Sequence, residues 1–308
     1  MNTLPAHATD QQGSDQQGPD QQGPGGARPL LEVDNLKVNF HTPTGIVRAV
    51  RGLSFTLGRE RLGIVGESGS GKSMTGRAIL DLIPPPGEVL ADALVYRGQD
   101  LLTMDKGARR KLRGRHISMV MQDPKFSLNP VMTVGEQIAE AYRVHHNASR
   151  LEARQRSLAM LEAVQIREPA RVYDLYAHEV SGGMGQRVMI AMMLIAEPDI
   201  LIADEPTSAL DVTVQLQILK ILDDLVTSRG MGLIFISHDL HLVKSFCDRV
   251  IVMYGGKAME TMKASELSDQ GAMSARHPYT LGLLGCIPDI DHPKATLATL
   301  QRDPAWMA

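Results

Sequence analysis

The sequence predicts an α/β fold with a mostly parallel core sheet, an antiparallel β subdomain at its N-terminal end and an inserted α-helical subdomain. Short apolar runs such as Leu62–Val65 and Ile200–Ala203 indicate buried strands. Alternating apolar and polar residues from Leu30 to Leu57 indicate antiparallel strands, with a turn at His41–Gly45. Helical periodicity from Val134 to about Tyr176 predicts the inserted helices. They include Val134–His145 and Leu151–Val164, the latter with Leu151, Leu158 and Leu161 on one face.

The composition predicts a protein with a sizeable core and a peripheral role, if any, at a membrane. Of its 308 residues, 43% are hydrophobic. The formal net charge of −3 argues against a protein that binds nucleic acid by neutralising phosphates. Cys247 and Cys286 share no metal-ligand spacing, which favours reduced thiols in a cytosolic protein. We find no signal-peptide pattern and no membrane-spanning apolar run in the sequence.

The chain is expected to have three parts. Residues 1–29 contain a five-residue repeat that starts at Asp10, Asp15 and Asp20, and they hold too few apolar residues to form a core, so we predict a disordered tail. Residues 30–262 are predicted to form the main α/β unit, with the helical subdomain at about 129–180. Residues 263–308 are predicted to form a smaller C-terminal extension.

A glycine-rich segment separates the first buried strand from a helix predicted over Met74–Ile83, which Pro84 would end. The segment matches the spacing G-x-x-x-x-G-K-[ST] of a phosphate-binding loop and comprises Gly66, Glu67, Ser68, Gly69, Ser70, Gly71, Lys72 and Ser73. Glycines let consecutive N–H groups point inward, and the helix N-terminus adds partial positive charge. We expect Lys72 to reach the β- and γ-phosphates of a nucleotide and Ser73 to ligate Mg²⁺.

Polar residues follow three further predicted strands. Gln122 follows the strand His116–Met121, Asp204 and Glu205 follow the next, and His238 ends a third. Open α/β sheets bind ligands at the carboxyl ends of their strands, so these side chains are expected at one edge. Two adjacent carboxylates there suggest a ligand of a Mg²⁺-bound water and a base that orients water. For His238 we favour a γ-phosphate contact over a core histidine.

Three other sites are candidates for nucleotide contacts. Ser181 is a suitable N-cap for a Met-rich helix, and Gly182 and Gly183 would expose backbone N–H groups at its start. Asp211 lies in a loop that follows the paired carboxylates. Phe40 could stack on an adenine ring or could be a core aromatic of its strand.

Taken together, these motifs resemble those of the ATP-binding cassette (ABC) ATPases over roughly residues 30–290. The matching motifs are the phosphate loop Gly66–Ser73, the Q-loop Gln122, the signature Val180–Gln186, the strand Ile200–Asp204 with Glu205, the D-loop Ser208–Asp211 and the switch histidine His238. The segments Gln122-Asp-Pro, Ser181-Gly-Gly-Met and His277-Pro-Tyr-Thr are similar to those of the oligopeptide, dipeptide and nickel importers within that family.

The resemblance implies ATP and Mg²⁺ as cofactors and in-line hydrolysis of ATP. It implies that Ser73, Gln122 and Asp204 surround Mg²⁺, that Glu205 polarises the attacking water and that His238 contacts the γ-phosphate. Ser181 and Gly183 would then touch the ATP held by a partner subunit, and Gly182 and Asp211 are further nucleotide-binding candidates.

The resemblance also implies partners and a location. They are a second ABC ATPase in a heterodimer, two transmembrane permease subunits and, indirectly, a substrate-binding protein, at the cytoplasmic face of a bacterial inner membrane. The cargo stays open between a peptide, nickel and a metal chelate.

Two other functions were weighed against transport. A non-transport ABC ATPase of DNA repair or translation would carry a long coiled coil or a second cassette, and the sequence shows neither sustained heptads nor a second phosphate loop. A regulatory module without turnover is opposed by the presence of Glu205 and His238. One departure from the importer pattern is Gly185, a helix-weakening residue in the signature helix.

Overall fold

The computed structural model describes residues 28–122, 127–208, 210–267, 277–286, 300 and 303–307. The tail predicted over residues 1–29 lies almost entirely outside these residues. Within them the chain forms two β-sheets and a set of helices. No described helix is both long enough and apolar enough to cross a bilayer.

The first sheet is antiparallel, as the alternation from Leu30 to Leu57 predicts. Its strands run in the order β2-β1-β5-β6, with β4 also paired to β1. They are β1 Leu31–Thr42, β2 Gly45–Leu57, β4 Gly87–Leu90, β5 Ala93–Tyr96 and β6 Gln99–Asp100. The hairpin turn is shorter than predicted, because Thr42 and Gly45 already pair with each other.

The second sheet has six strands in the order β11-β10-β3-β9-β8-β7. All neighbours in it are parallel except the β10–β11 hairpin. The strands are β3 Arg61–Val65, β7 Ile117–Val120, β8 Ile200–Asp204, β9 Gly232–Ile236, β10 Arg249–Tyr254 and β11 Lys257–Lys263. The strands β3, β8 and β9 are apolar along nearly their whole length because helices or the other sheet cover both faces.

The helices of the described residues connect these strands. They are α1 Lys72–Ile79, α2 Lys106–Leu112, α3 Val134–His145, α4 Arg150–Ala163, α5 Pro169–Tyr173, α6 Gly182–Leu194, α7 Val212–Arg229, α8 Leu240–Phe246 and α9 Pro278–Gly285. Helices α3 to α6 all lie between β7 and β8 in the chain.

Two helices differ from the sequence prediction. Helix α1 ends at Ile79, well before Pro84, because Asp81 adopts a left-handed conformation (φ 56°). The Asp81 N–H then donates to the Ala78 carbonyl and the Leu82 N–H to the Arg77 carbonyl, which closes the helix C-terminus. In α4, Leu151, Leu158 and Leu161 were predicted on one face, but Leu151 is 67% exposed whereas Leu161 is fully buried.

The six-stranded sheet separates two hydrophobic cores, because side chains alternate across each strand. On β9, Leu233 and Phe235 belong to one core, and Ile234 and Ile236 belong to the other. We call the first the helical-side core, since it includes residues of α3 to α9. The second, the β-side core, includes the antiparallel sheet and α1.

Candidate functional site

The phosphate loop connects β3 to α1 and has the backbone that its glycines permit. Gly71 is the N-cap of α1 with φ 99°, and Gly66 has φ 151°, both in the region that favours glycine. A Cβ on Gly66 would lie 2.1 Å from the Met253 carbonyl oxygen, and one on Gly71 would lie 2.4 Å from that of Ala49. Neighbouring backbone thus holds the loop on two sides.

The Lys72 side chain folds back into this loop. Its ammonium donates to the carbonyl oxygens of Gly66 and Glu67, each at 2.8 Å, and lies 3.4 Å from the Ser70 hydroxyl. Burial lowers the pKa of Lys72 from its ordinary value, although the charges of Glu205, Asp204 and Glu67 oppose that shift. A buried cation held by carbonyl oxygens is well placed to exchange those partners for an anion.

Ser73 and Asp204 form the next contact, which links the start of α1 to the end of β8. The Ser73 hydroxyl donates to Asp204 Oδ1 at 2.8 Å, and Asp204 is 4% exposed. Burial raises the pKa of the Asp204 carboxyl, against the opposing Ser73 hydrogen bond and the Arg77 charge. A buried carboxylate beside a hydroxyl is a donor set that suits Mg²⁺, because this ion prefers oxygen ligands and one or two carboxylates.

Glu205 and His238 also meet, although they follow different strands. His238 Nδ1 lies 2.9 Å from Glu205 Oε2. Glu205 has a left-handed backbone (φ 48°), which its N–H stabilises by donating to the Ile236 carbonyl at 2.9 Å. The Ser208 hydroxyl donates to the Glu205 carbonyl oxygen at 3.1 Å. Glu205 is thereby fixed at both ends of its backbone.

Gln122 lies at the same sheet edge and is exposed. It follows β7 by one residue, and in the register of the parallel strands Val120 is opposite Ala203. Gln122 therefore lies near the level of Glu205. Its contact with a metal ion stays a prediction.

Phe40 is half-buried on β1, where its partner on β4 is Gly87. A Cβ on Gly87 would lie 2.9 Å from the Phe40 ring, so the ring lies directly on that strand. Phe40 also packs against the β-side core. The structure thus places the ring in sheet packing, and stacking on adenine stays a prediction.

The signature residues occupy a separate cavity of about 850 Å³ at the N-terminus of α6. Ser181 caps this helix, accepting from the Met184 N–H at 3.4 Å, and Asp211 caps α7, accepting from the Val214 N–H at 3.0 Å. Ser181 and Asp211 both line the cavity, with Gly182 and Gly183, and no phosphate-loop residue does. Helix α6 continues through the buried Gly185 without interruption.

Sequence reasoning missed a side chain that contacts the phosphate loop. Tyr279, from α9, accepts a hydrogen bond at its hydroxyl from the Glu67 N–H at 3.2 Å. The only signal for it in the sequence is the segment His277-Pro-Tyr-Thr, which is similar to that of the importers but by itself indicates no contact with the loop. Its 212-residue separation from Glu67 hides the contact from any local pattern.

Comparison with known proteins identifies the same family that the sequence motifs resemble. A family model described as ABC transporter matches residues 50–208. The chain is 46% identical over 279 residues to the oligopeptide transport ATP-binding protein OppD of Salmonella typhimurium, covering 90% of this chain and 82% of that protein. It is also 46% identical over 272 residues to the dipeptide transport ATP-binding protein DppD of Escherichia coli, covering 88% and 82%.

Among solved structures, a similar fold is that of the ATP-binding cassette MJ0796, in a dimeric post-hydrolysis state bound to ADP and Pi. Its TM-score is 0.67 at 28% identity, covering 76% of this chain and 99% of that one. The family predicted from the motifs is thus confirmed. The chain belongs to the ABC transporter family, as one of its ATP-hydrolysing cassettes.

Proposed function

We propose that this chain is the ATP-hydrolysing subunit of a peptide importer and that its hydrolytic centre is the strand-end cluster. In this proposal Lys72 and the loop amides bind the β- and γ-phosphates, Glu205 orients the attacking water, and His238 contacts the γ-phosphate. The peptide cargo is supported by the names of its relatives, an oligopeptide and a dipeptide transport protein.

The observation that carries the hydrolytic role is the hydrogen bond between Glu205 and His238. A base that orients water must itself be held in place, and a positioned partner does this. Here the partner comes from the next strand of the sheet, and the base lies directly after the buried Asp204. This arrangement suits transfer of a phosphoryl group to water, in which positioning and charge supply most of the rate.

Mg²⁺ would be held by Ser73 and Asp204, with Gln122 as a further ligand. When bound with ATP, the ion would neutralise charge on the phosphate oxygens. The chain's own part is to hold the hydroxyl and the carboxylate together, which the 2.8 Å contact between Ser73 and Asp204 supports.

A second ABC ATPase is proposed to complete each site. Ser181, Gly182, Gly183 and Asp211 line a cavity that excludes the phosphate loop, so they are available to the ATP of another chain. The dimeric state of the similar cassette MJ0796 supports this arrangement. We propose a heterodimer docked on two permease subunits at the cytoplasmic face of a bacterial inner membrane, supplied by a substrate-binding protein.

We further propose that the chain is organised as a tail over residues 1–29, a cassette over residues 30–262 and a C-terminal extension over residues 263–308. The helical subdomain would span about 129–180. The position of α3 to α6 between β7 and β8 supports an insertion. The last of these helices, the signature helix α6, begins after the proposed end of the subdomain.

The test compares Glu205→Gln with Lys72→Ala in the full chain. Glu205→Gln should bind ATP as the unmodified chain does and should lose turnover by roughly 10²–10⁴-fold, as expected for loss of a positioned base. Lys72→Ala should weaken binding itself. Glu140→Gln, on the exposed surface of α3, is the matched control. Calorimetry measures ATP binding, and phosphate release measures turnover. Equal turnover in Glu205→Gln and the unmodified chain would contradict the role of Glu205 in orienting water.

The cargo is tested in cells. Replacing the native gene by the Glu205→Gln variant should abolish uptake of a labelled oligopeptide, while the Glu140→Gln variant should leave uptake unchanged. Normal peptide uptake in the Glu205→Gln cells would contradict the transport role.

A further inference from the structure

The phosphate loop has a partner in the C-terminal part of the chain. Tyr279, the second residue of α9, is fully buried, and its hydroxyl accepts from the Glu67 N–H at 3.2 Å. The family assignment and the proposed roles above give this tyrosine no task. Its hydroxyl nevertheless reaches the one loop on which nucleotide binding depends.

The contact matters because it holds the peptide unit between Gly66 and Glu67. The N–H of Glu67 and the carbonyl of Gly66 belong to the same planar peptide, and they point in opposite directions. The Gly66 carbonyl accepts from the Lys72 ammonium at 2.8 Å. Tyr279 and Lys72 therefore hold the two sides of one rigid unit, and rotation of that unit would break both contacts.

The tyrosine is itself held firmly. Its ring centroid lies 4.6 Å from that of Tyr254 and 5.8 Å from that of Trp306. The Tyr279 N–H donates to His277 Nδ1 at 3.1 Å, and the His277 N–H donates to Glu260 Oε2 at 3.2 Å. These hydrogen bonds connect the phosphate loop through α9 to Glu260 on β11. The packing of the Tyr279 ring against Tyr254 and Trp306 fixes the position of its hydroxyl.

We propose that Tyr279 is a positioning residue for nucleotide binding, which sets the orientation of the Gly66–Glu67 peptide and so keeps the phosphate loop ready for ATP. The proposal rests on the phosphate-binding role of the loop. Without the hydroxyl, the Glu67 N–H loses a partner and the peptide can rotate. The fraction of chains with a competent loop then falls, and the apparent affinity falls by the same factor.

The test uses Tyr279→Phe, which removes only the hydroxyl and keeps the ring in its cluster. Tyr254→Phe is the matched control, because Tyr254 belongs to the same cluster and its hydroxyl makes no hydrogen bond to a described residue. We expect the Kd for ATP to rise roughly five- to tenfold in Tyr279→Phe and to stay unchanged in Tyr254→Phe.

The kinetic readout separates positioning from general stability. In Tyr279→Phe the KM for ATP should rise while kcat at saturating ATP stays close to that of the unmodified chain, because bound ATP selects the competent loop. A fall in kcat with unchanged KM would overturn the proposal, as would equal effects of the two tyrosine variants. If the unmodified chain failed to bind ATP, the failure would lie in the loop assignment itself.

A second measurement needs no variant in the cluster. Trp306 is the single tryptophan of the chain, and its ring stacks edge-on against Tyr279. Adding ATP to the full chain should therefore change the Trp306 emission, with the same midpoint as binding measured by calorimetry. Lys72→Ala should abolish the change. An emission that stays constant while calorimetry reports binding would contradict a link between loop and cluster.

Discussion

His238 Nδ1 and Glu205 Oε2 lie 2.9 Å apart, although the two residues follow different strands of the sheet. The contact exists because β8 and β9 are parallel neighbours, with Asp204 opposite Ile236. The side chain of Glu205 is 17% exposed and that of His238 is 65% exposed. The Glu205 carboxylate is thus sheltered, while the His238 side chain extends into solvent.

This contact predicts the effect of losing the histidine. His238→Ala should bind ATP normally and should reduce turnover by roughly 10²–10³-fold, the usual effect of removing one positioned donor. Phosphate release and ATP calorimetry on the same samples measure the two effects. His241→Ala, which changes an exposed residue three positions along on α8, should leave both unchanged. Full turnover in His238→Ala would contradict the role.

The phosphate loop predicts a difference between two glycines. Gly71→Ala places a Cβ about 2.4 Å from the Ala49 carbonyl oxygen in addition to left-handed strain (φ 99°), so the loop must move and ATP binding should be lost. Gly69→Ala meets only the strain (φ 80°), about 1–2 kcal/mol, because no heavy atom lies within 4 Å of its Cβ. ATP calorimetry compares the two variants. Equal losses of affinity would contradict the steric clash expected at Gly71.

Because burial raises the pKa of Asp204, we predict that its ionised carboxylate lowers the stability of the folded chain at neutral pH. A carboxyl whose pKa rises on folding binds its proton more tightly in the folded state, so the free energy of unfolding falls as pH rises from its ordinary 3.8 through the folded pKa. Asp204→Asn removes this ionisation. Its Tm should exceed that of the unmodified chain at neutral pH, and the difference should shrink under acid conditions.

The same variant should lose Mg²⁺-dependent ATP affinity, because the carboxylate is replaced by an amide. Asp224→Asn, which changes an exposed carboxylate on α7, should change neither Tm nor affinity. Thermal melts across pH, together with ATP titrations with and without Mg²⁺, measure both properties. A lower Tm for Asp204→Asn at neutral pH would refute this account of burial.

The separate signature cavity predicts that the sites are shared between chains. The isolated chain should be a poor ATPase, with a rate that depends on concentration. Ser181→Arg should keep ATP bound at its own Lys72 yet abolish hydrolysis at the site of an intact partner ATPase. Ser245→Arg, on the exposed surface of α8, is the control. Full activity of the lone chain at nanomolar concentration, independent of dilution, would rule out shared sites.

Much of the fold and the site follows from local patterns. The phosphate loop and the polar strand ends could be recognised because glycine spacing and apolar runs are local features of the chain. Helix α3 has the bounds predicted from its periodicity, and the structure shows a capping box of Thr133 and Glu136 at its N-terminus.

The features that the sequence did not predict depend on tertiary contacts or on an unusual backbone conformation. Leu151 is exposed because α4 buries the face formed by Ala153, Ser157, Met160 and Leu161, and Leu151 lies outside that face. The end of α1 depends on a left-handed Asp81, a conformation for which glycine is the usual signal. The contact between Tyr279 and Glu67 joins distant parts of the chain, so periodicity gives no indication of it.

The division into a helical-side core and a β-side core has an evolutionary consequence. Substitutions in contact couple, while those separated by the sheet combine nearly additively in the free energy of unfolding. A lineage can therefore vary the helical-side core while the β-side core, which includes residues of α1, keeps its packing. The two layers of such a cassette can diverge at different tempos.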